Sequence, residues 1–216
     1  IDNDARITVL IHPMIETAAG YFNPNNEFLK IQVPNSNQRE MFYLSSENII
    51  DSFSKSFFAH EFSHLISFNQ KENTYGVSED VWLNEARAEY APTLLGYDDN
   101  FEESNVQKRM KNFVENPSDS LTDWRGVKYD YAVSNVFIQY LVDFYGKKIL
   151  IDSLQSDKKG VESLDLALLK NGFREKVSDI FLKWTIAVYI NDCSVDNTYC
   201  YISQNLKELY VVPQTN

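Results

Sequence analysis

The segment His60-Glu61-Phe62-Ser63-His64 sets two imidazoles four positions apart, with a carboxylate next to the first. On a helix, positions i and i+4 share a face, so both rings can reach one ion. Glu61 falls about 100° round from His60, beside the ion rather than on it. From there a carboxylate can take a proton from a water that the ion polarises. The chemistry implied is metal-assisted hydrolysis. The alternative is a surface helix with incidental charges, but Phe57, Phe58, Leu65 and Phe68 supply an apolar stripe that a solvated helix would lack.

A catalytic zinc takes three protein ligands and keeps a fourth position open. The chain has three histidines; the remaining one, His12, lies far upstream and none follows His64. That excludes the class in which a third His follows the motif, and leaves a carboxylate. Trp82-Leu83-Asn84-Glu85-Ala86-Arg87-Ala88-Glu89-Tyr90 offers two, Glu85 and Glu89, again i and i+4 on one helical face. A solvated helix carrying Glu and Arg is the competing reading. Trp82, Leu83 and Ala86 argue for a partly buried segment, where a carboxylate needs a cation or metal nearby.

Hydrolysis of a peptide also needs a donor for the oxyanion. With no later His, a Tyr or Arg must serve. In Lys128-Tyr129-Asp130-Tyr131-Ala132-Val133 a helix begins whose core stripe is Val133, Val136, Phe137, Tyr140 and Phe144. Tyr129 falls on that stripe, whereas Tyr131 points roughly 160° from Val133. Tyr131 is therefore the candidate donor, with Arg87 and Tyr90 next, although it can also be a plain surface aromatic among 13 tyrosines.

The elements that must position these groups change type along the chain. Arg6 to His12 alternates, with Ile7, Val9 and Ile11 on one face, and Phe28 to Val33 alternates with Leu29, Ile31 and Val33. Met41 to Leu44 is a third apolar run, and Gly20 to Asn26 reads as a turn with exposed aromatics that overhangs the cleft. From about Asn48 the period is helical. A long helix runs to about Asn69, capped by Asp51 or Ser52, and others follow at about 83–95, 103–115, 128–145, 161–171 and 174–190. Pro117 closes the third of these six helices and Gly146 the fourth. Strands followed by helices, without alternation, give an α+β fold.

The 216 residues suit a single domain, with a strand-rich lobe over 1–70 that ends in the motif helix and a helical lobe over 71–216. Such a chain can bury a core without metal staples, so a metal here is catalytic rather than structural. Apolar residues at 44% and aromatics at 14% are a globular composition. A net charge of −11 argues against nucleic acid or an anionic membrane as partner. No apolar run is long enough to span a bilayer, and nothing indicates an oligomer. The chain begins at Ile1 without an initiator Met or a signal peptide, which is expected of a processed form or an excised piece. Cys193 and Cys200 fit a local disulfide and an extracytoplasmic address; two separate reduced thiols are the alternative.

His60-Glu61-x-x-His64 followed by Asn84-Glu85-x-x-x-Glu89 resembles the gluzincins, the thermolysin-like metallopeptidases. The resemblance implies a zinc held by His60, His64 and Glu85, with Glu61 as the catalytic base. It also implies that Glu89, where thermolysin usually carries Asp, orients a ligand His, and that Asn84 stands in the surrounding shell. Tyr131 precedes Gly146 at the spacing by which aminopeptidase-type gluzincins place their stabilising Tyr. Ala18-Ala19-Gly20-Tyr21-Phe22, Ala59–His64, Trp82–Glu85, Ser120–Trp124 and Phe181–Ala187 are similar, in order, to blocks of the hyicolysin-like family of secreted bacterial metallopeptidases. Ala86 departs from the usual Gly. The expectation is a thermolysin-like core with the zinc cleft between the lobes, acting on peptide or protein substrates, by default as a secreted endopeptidase. An upper-lobe edge strand, here Met41–Leu44, would receive the substrate backbone. Two rivals remain: a catalytically silent binding or adhesion module on the same fold, and a zinc hydrolase of non-peptide bonds.

Overall fold

The computed structural model describes residues 4–14, 18–49, 53–100, 102, 104–203 and 206–207. Three short strands, β1 (Thr8–His12), β2 (Gly20–Phe22) and β3 (Met41–Ser45), form one sheet in the order β1-β3-β2. β1 runs parallel to β3 and β2 antiparallel to it, with Tyr21 opposite Tyr43. A short apolar run predicted β3, and apolar alternation predicted β1. It also predicted a strand over 28–33, and there the chain instead folds into turns. Gln32 and Val33 both donate to the Leu29 carbonyl, while the amides of Leu29 and Lys30 donate to the Gln32 and Gln38 side chains. With its backbone groups satisfied locally the segment needs no partner strand, and Ile31 stays 89% exposed. The missing strand is β2, inside the segment expected to be a turn. Tyr21 stacks on Tyr43 there, ring centroids 4.3 Å apart, and a short 3₁₀ turn follows at Pro24–Glu27.

The expected edge strand is also corrected. β3 is the central strand and is buried along its length, so it has no free edge among the described residues; β2 is an edge. Phe42 and Leu44 of β3 meet Leu65 in a small core, joined by Val9, Phe22, Phe57 and Phe62. Ile7 and Ile11, expected to share the face of Val9, are about half exposed.

The motif helix, α1, spans Ser54–Phe68. Asn48 lies in a turn before it, and the expected caps Asp51 and Ser52 fall outside the described residues. α1 runs on into a π-helical turn, Asn69–Thr74. Then come α2 (Val81–Leu94), α3 (Asn105–Glu115), α4 (Lys128–Tyr145), α5 (Lys148–Leu154), α6 (Gly160–Lys170) and α7 (Val177–Ile190). All but α5 match a predicted helix to within a few residues. Seven residues are too few to display a helical period, which is why α5 was not foreseen. Ser104 caps α3 by accepting from the Gln107 amide, and α4 stops at Gly146, whose φ of 79° an L side chain disfavours.

A second, larger core joins Leu83 of α2, Phe113 of α3, Val133 to Leu141 of α4, Leu164 and Leu168 of α6, and Ile180 and Trp184 of α7. Each large side chain wholly buried there contributes about 1.5–3 kcal/mol. α1 packs on the sheet through Leu65, Phe57 and Phe62 of the small core and also lies against α2. Cys193 and Cys200 are joined in a disulfide, and within that loop the Thr198 carbonyl accepts from the buried Tyr140 hydroxyl at 2.6 Å. No helix among the described residues is long and apolar enough to cross a membrane.

Candidate metal centre

α1 and α2 lie side by side and bring the predicted ligands together. His60 Nε2 stands 3.2 Å from His64 Nε2, and Glu85 Oε2 stands 3.3 Å from the first and 3.5 Å from the second. The donor atoms of these three side chains all lie within 4.8 Å of one another, a group that can hold a metal ion. The donor set fits one. Glu85 Oε2 is buried with no hydrogen-bond partner, and a cation among the three atoms would satisfy it. His12, the third histidine, lies on β1 against Tyr21 and Tyr43, apart from this group.

Glu89 approaches one of the two candidate ligand imidazoles from behind. Its Oε1 lies 3.4 Å from His60 Nδ1, leaving Nε2 of that ring to face the centre. Glu89 is itself held by Arg109 through both oxygens, at 2.6 and 2.7 Å, and by Asn105 Nδ2 at 2.9 Å. Burial pushes the Glu89 carboxyl up, but Arg109 and then His60 outweigh it and hold it below its usual range. Neither Arg109 nor Asn105 was foreseen. They stand i and i+4 on α3, the same signal that revealed Glu85 and Glu89. Asn84 is not tied to any ligand; its side chain faces the cleft, with Oδ1 buried and unpartnered.

Glu61 is buried beside the ligands under β2. Gly20 makes that approach possible, since a Cβ there would lie 2.8 Å from Glu61 Cγ and 2.7 Å from the Tyr43 carbonyl oxygen. Burial pushes the Glu61 carboxyl up, against the pull of His60 and His64. The metal-free charges also act on His60. Burial pulls it down, but Glu85, Glu89 and Glu61 outweigh that and lift it to about 9.

Tyr131 lines the same cleft, half-buried, with the Arg109 guanidinium 4.9 Å from its ring centroid and Trp124 edge-on at 4.8 Å. Burial first, then Glu85 and Glu89, push its phenol up to about 12, so it keeps its proton at neutral pH. The helical phase that chose Tyr131 needs correcting in part. α4 is buried from Ala132 to Leu141, so it has no single stripe. Tyr129, expected in the core, sits at the surface under Lys128 and beside Glu115. Arg87 is no donor for this cleft: it is buried and committed to Glu79 at 2.7 Å and Ser153 Oγ at 2.8 Å. Tyr90 packs on the helical core.

No protein-family profile matches this chain, and no curated protein resembles it significantly. What the site can do is read from its own atoms.

Proposed function

We propose that this protein is a zinc-dependent peptidase with a thermolysin-like arrangement of a small sheet, a motif helix and a helical lobe. The observation that carries the reading is the convergence of His60, His64 and the orphaned Glu85 Oε2 beside the buried carboxylate of Glu61. His60, His64 and Glu85 would hold the ion, and zinc supplies Lewis acidity when bound there. Glu61 takes a proton from the attacking water and hands it to the leaving amine, a transfer suited to a carboxyl whose affinity for protons burial has raised. Tyr131, protonated and on the cleft wall, donates to the oxyanion. The free edge of β2 beside the cleft supports an extended substrate backbone there, in place of the central strand β3. The Cys193–Cys200 disulfide favours a secreted or otherwise extracytoplasmic enzyme.

The test is zinc content and cleavage of a mixed peptide library by the zinc-reconstituted protein, with Glu61→Gln as control. About one zinc per chain is expected, with Glu61→Gln retaining the metal and losing about 10²–10⁴-fold in rate. Zinc without cleavage would favour a binding module, cleavage of esters alone a different hydrolase, and no zinc would overturn the reading altogether.

A further inference from the structure

Glu85 has a neighbour on its own stripe that the metal reading does not use. Val81 stands four residues earlier on α2, on the same face and about 6 Å along the axis, with its side chain 51% exposed. It lines the cleft of the candidate centre, and it also lines a second groove of about 690 Å³. Trp124 makes a second link between the two. It lines the groove and meets Tyr131 of the cleft edge-on, ring centroids 4.8 Å apart. The groove thus leads out of the cleft, past Val81 and Trp124.

The accessible part of its lining is apolar. Val161, in the first turn of α6, is 40% exposed there, and Trp124 is partly exposed. The charges around them are paired: Lys159 with Asp80 at 3.1 Å, and Glu162 with Lys158 at 3.2 Å. Exposed pairs of this kind add little to binding. Glu79, which also lines both cleft and groove, is buried and occupied by Arg87 and the Gly160 amide, each at 2.7 Å, with Lys71 at 3.5 Å. The Lys71 ammonium group is itself held by the carbonyl oxygens of Ser153, Ser156 and Lys158. Val81, Trp124 and Val161 are left to meet a ligand.

Single exposed apolar side chains are ordinary on a protein surface; three gathered in one groove that opens from a cleft mark a binding surface. Continuity with the cleft makes the occupant the substrate rather than a separate partner. An extended polypeptide advances about 3.3 Å per residue, so a chain leaving the metal along α2 passes Val81 after about two residues. We propose that the groove of Val81, Trp124 and Val161 binds the polypeptide on one side of the scissile bond and favours an apolar side chain two or three residues from it. This deepens the peptidase reading and rests on it for the position of that bond.

The test uses the zinc-loaded protein and a degenerate peptide pool, with cut sites read by mass spectrometry. At the second or third residue from the cut, on one side only, Leu and Phe should exceed Ser and Asn by about tenfold. Val161→Asp should shrink that ratio several-fold, and Asp suits the first turn of a helix, so the fold is retained. Leu169→Gln, at the exposed far end of α6, should leave the ratio unchanged. Ratios within one sample do not depend on zinc loading. Absence of the apolar preference, or a preference that Val161→Asp leaves intact, overturns the proposal. If the protein cuts nothing, the peptidase reading fails and the groove is judged by binding alone. Leu-rich and Ser-rich pools are then titrated calorimetrically into the zinc-loaded parent and Val161→Asp. Tighter binding of the Leu-rich pool that Val161→Asp abolishes supports the groove; equal binding, binding indifferent to the substitution, or none, overturns it.

Discussion

Arg109 holds Glu89 by both oxygens, Nη2 to Oε1 and Nε to Oε2, with the carboxylate wholly buried. The same guanidinium lies over the ring of Tyr131. One side chain of α3 thus stands behind a proposed metal ligand, through Glu89 and His60, and beneath the proposed oxyanion donor. Arg109→Ala takes the guanidinium from a buried carboxylate, leaving it Asn105 and His60, and should cost about 3–5 kcal/mol in urea unfolding. Arg109→Lys keeps the charge but loses the fork, so zinc affinity should fall about tenfold with the fold retained. Competition with a chelator measures that affinity.

Glu85 and Glu89 should separate in the same assay. Glu85→Ala removes a ligand and an orphaned oxygen together, and zinc retention should collapse. Glu89→Gln leaves all three ligands and should weaken zinc by about 10–100-fold. Equal losses would mean that the ligand assignment is wrong.

Gly20→Ala puts a methyl group against Glu61 and the Tyr43 carbonyl at distances well inside van der Waals contact. Either β2 or Glu61 must move. With all metal ligands untouched, zinc content should stay at the parent level while kcat/KM falls by about 10²-fold, since displacing a catalytic group by about 1 Å costs that much. Zinc analysis and steady-state kinetics on one preparation decide it.

Tyr131→Phe deletes only the hydroxyl. At matched zinc occupancy, kcat should drop by about 10²–10³ with little change in KM. Tyr129→Phe, at the surface beside Glu115, should behave like the parent. The reverse result would move the donor role to Tyr129.

Cys193→Ser with Cys200→Ser opens a loop whose Thr198 carbonyl holds the buried Tyr140 hydroxyl. The loop is short, so the loss should be about 2–3 kcal/mol in the chain-entropy picture. The site lies on other elements, and zinc affinity should not change. Denaturation midpoints and chelator competition test the two halves separately.

What could be read from the sequence was what repeats at fixed spacing. His60 with His64, and Glu85 with Glu89, are i, i+4 pairs, and their helices carry long apolar patterns, so both the candidate ligands and their carriers were visible. β2 was hidden because three residues, one of them Gly20, display no alternation. The segment over 28–33 has alternation without a partner, and only tertiary pairing distinguishes that from a strand. Tyr129 was misplaced because a helix buried on all sides has no stripe to measure phase against.

Lys71 adds a constraint on how the protein assembles. Its charge is made tolerable in the interior by the Glu79 carboxylate together with the carbonyls of Ser153, Ser156 and Lys158, and the first of these carbonyls lies 82 residues along the chain. A partial set would strand an ammonium group in a nearly dry pocket. The foundation under the end of α1 therefore ties the motif helix to α5 and the loop that follows it, so the two should unfold together.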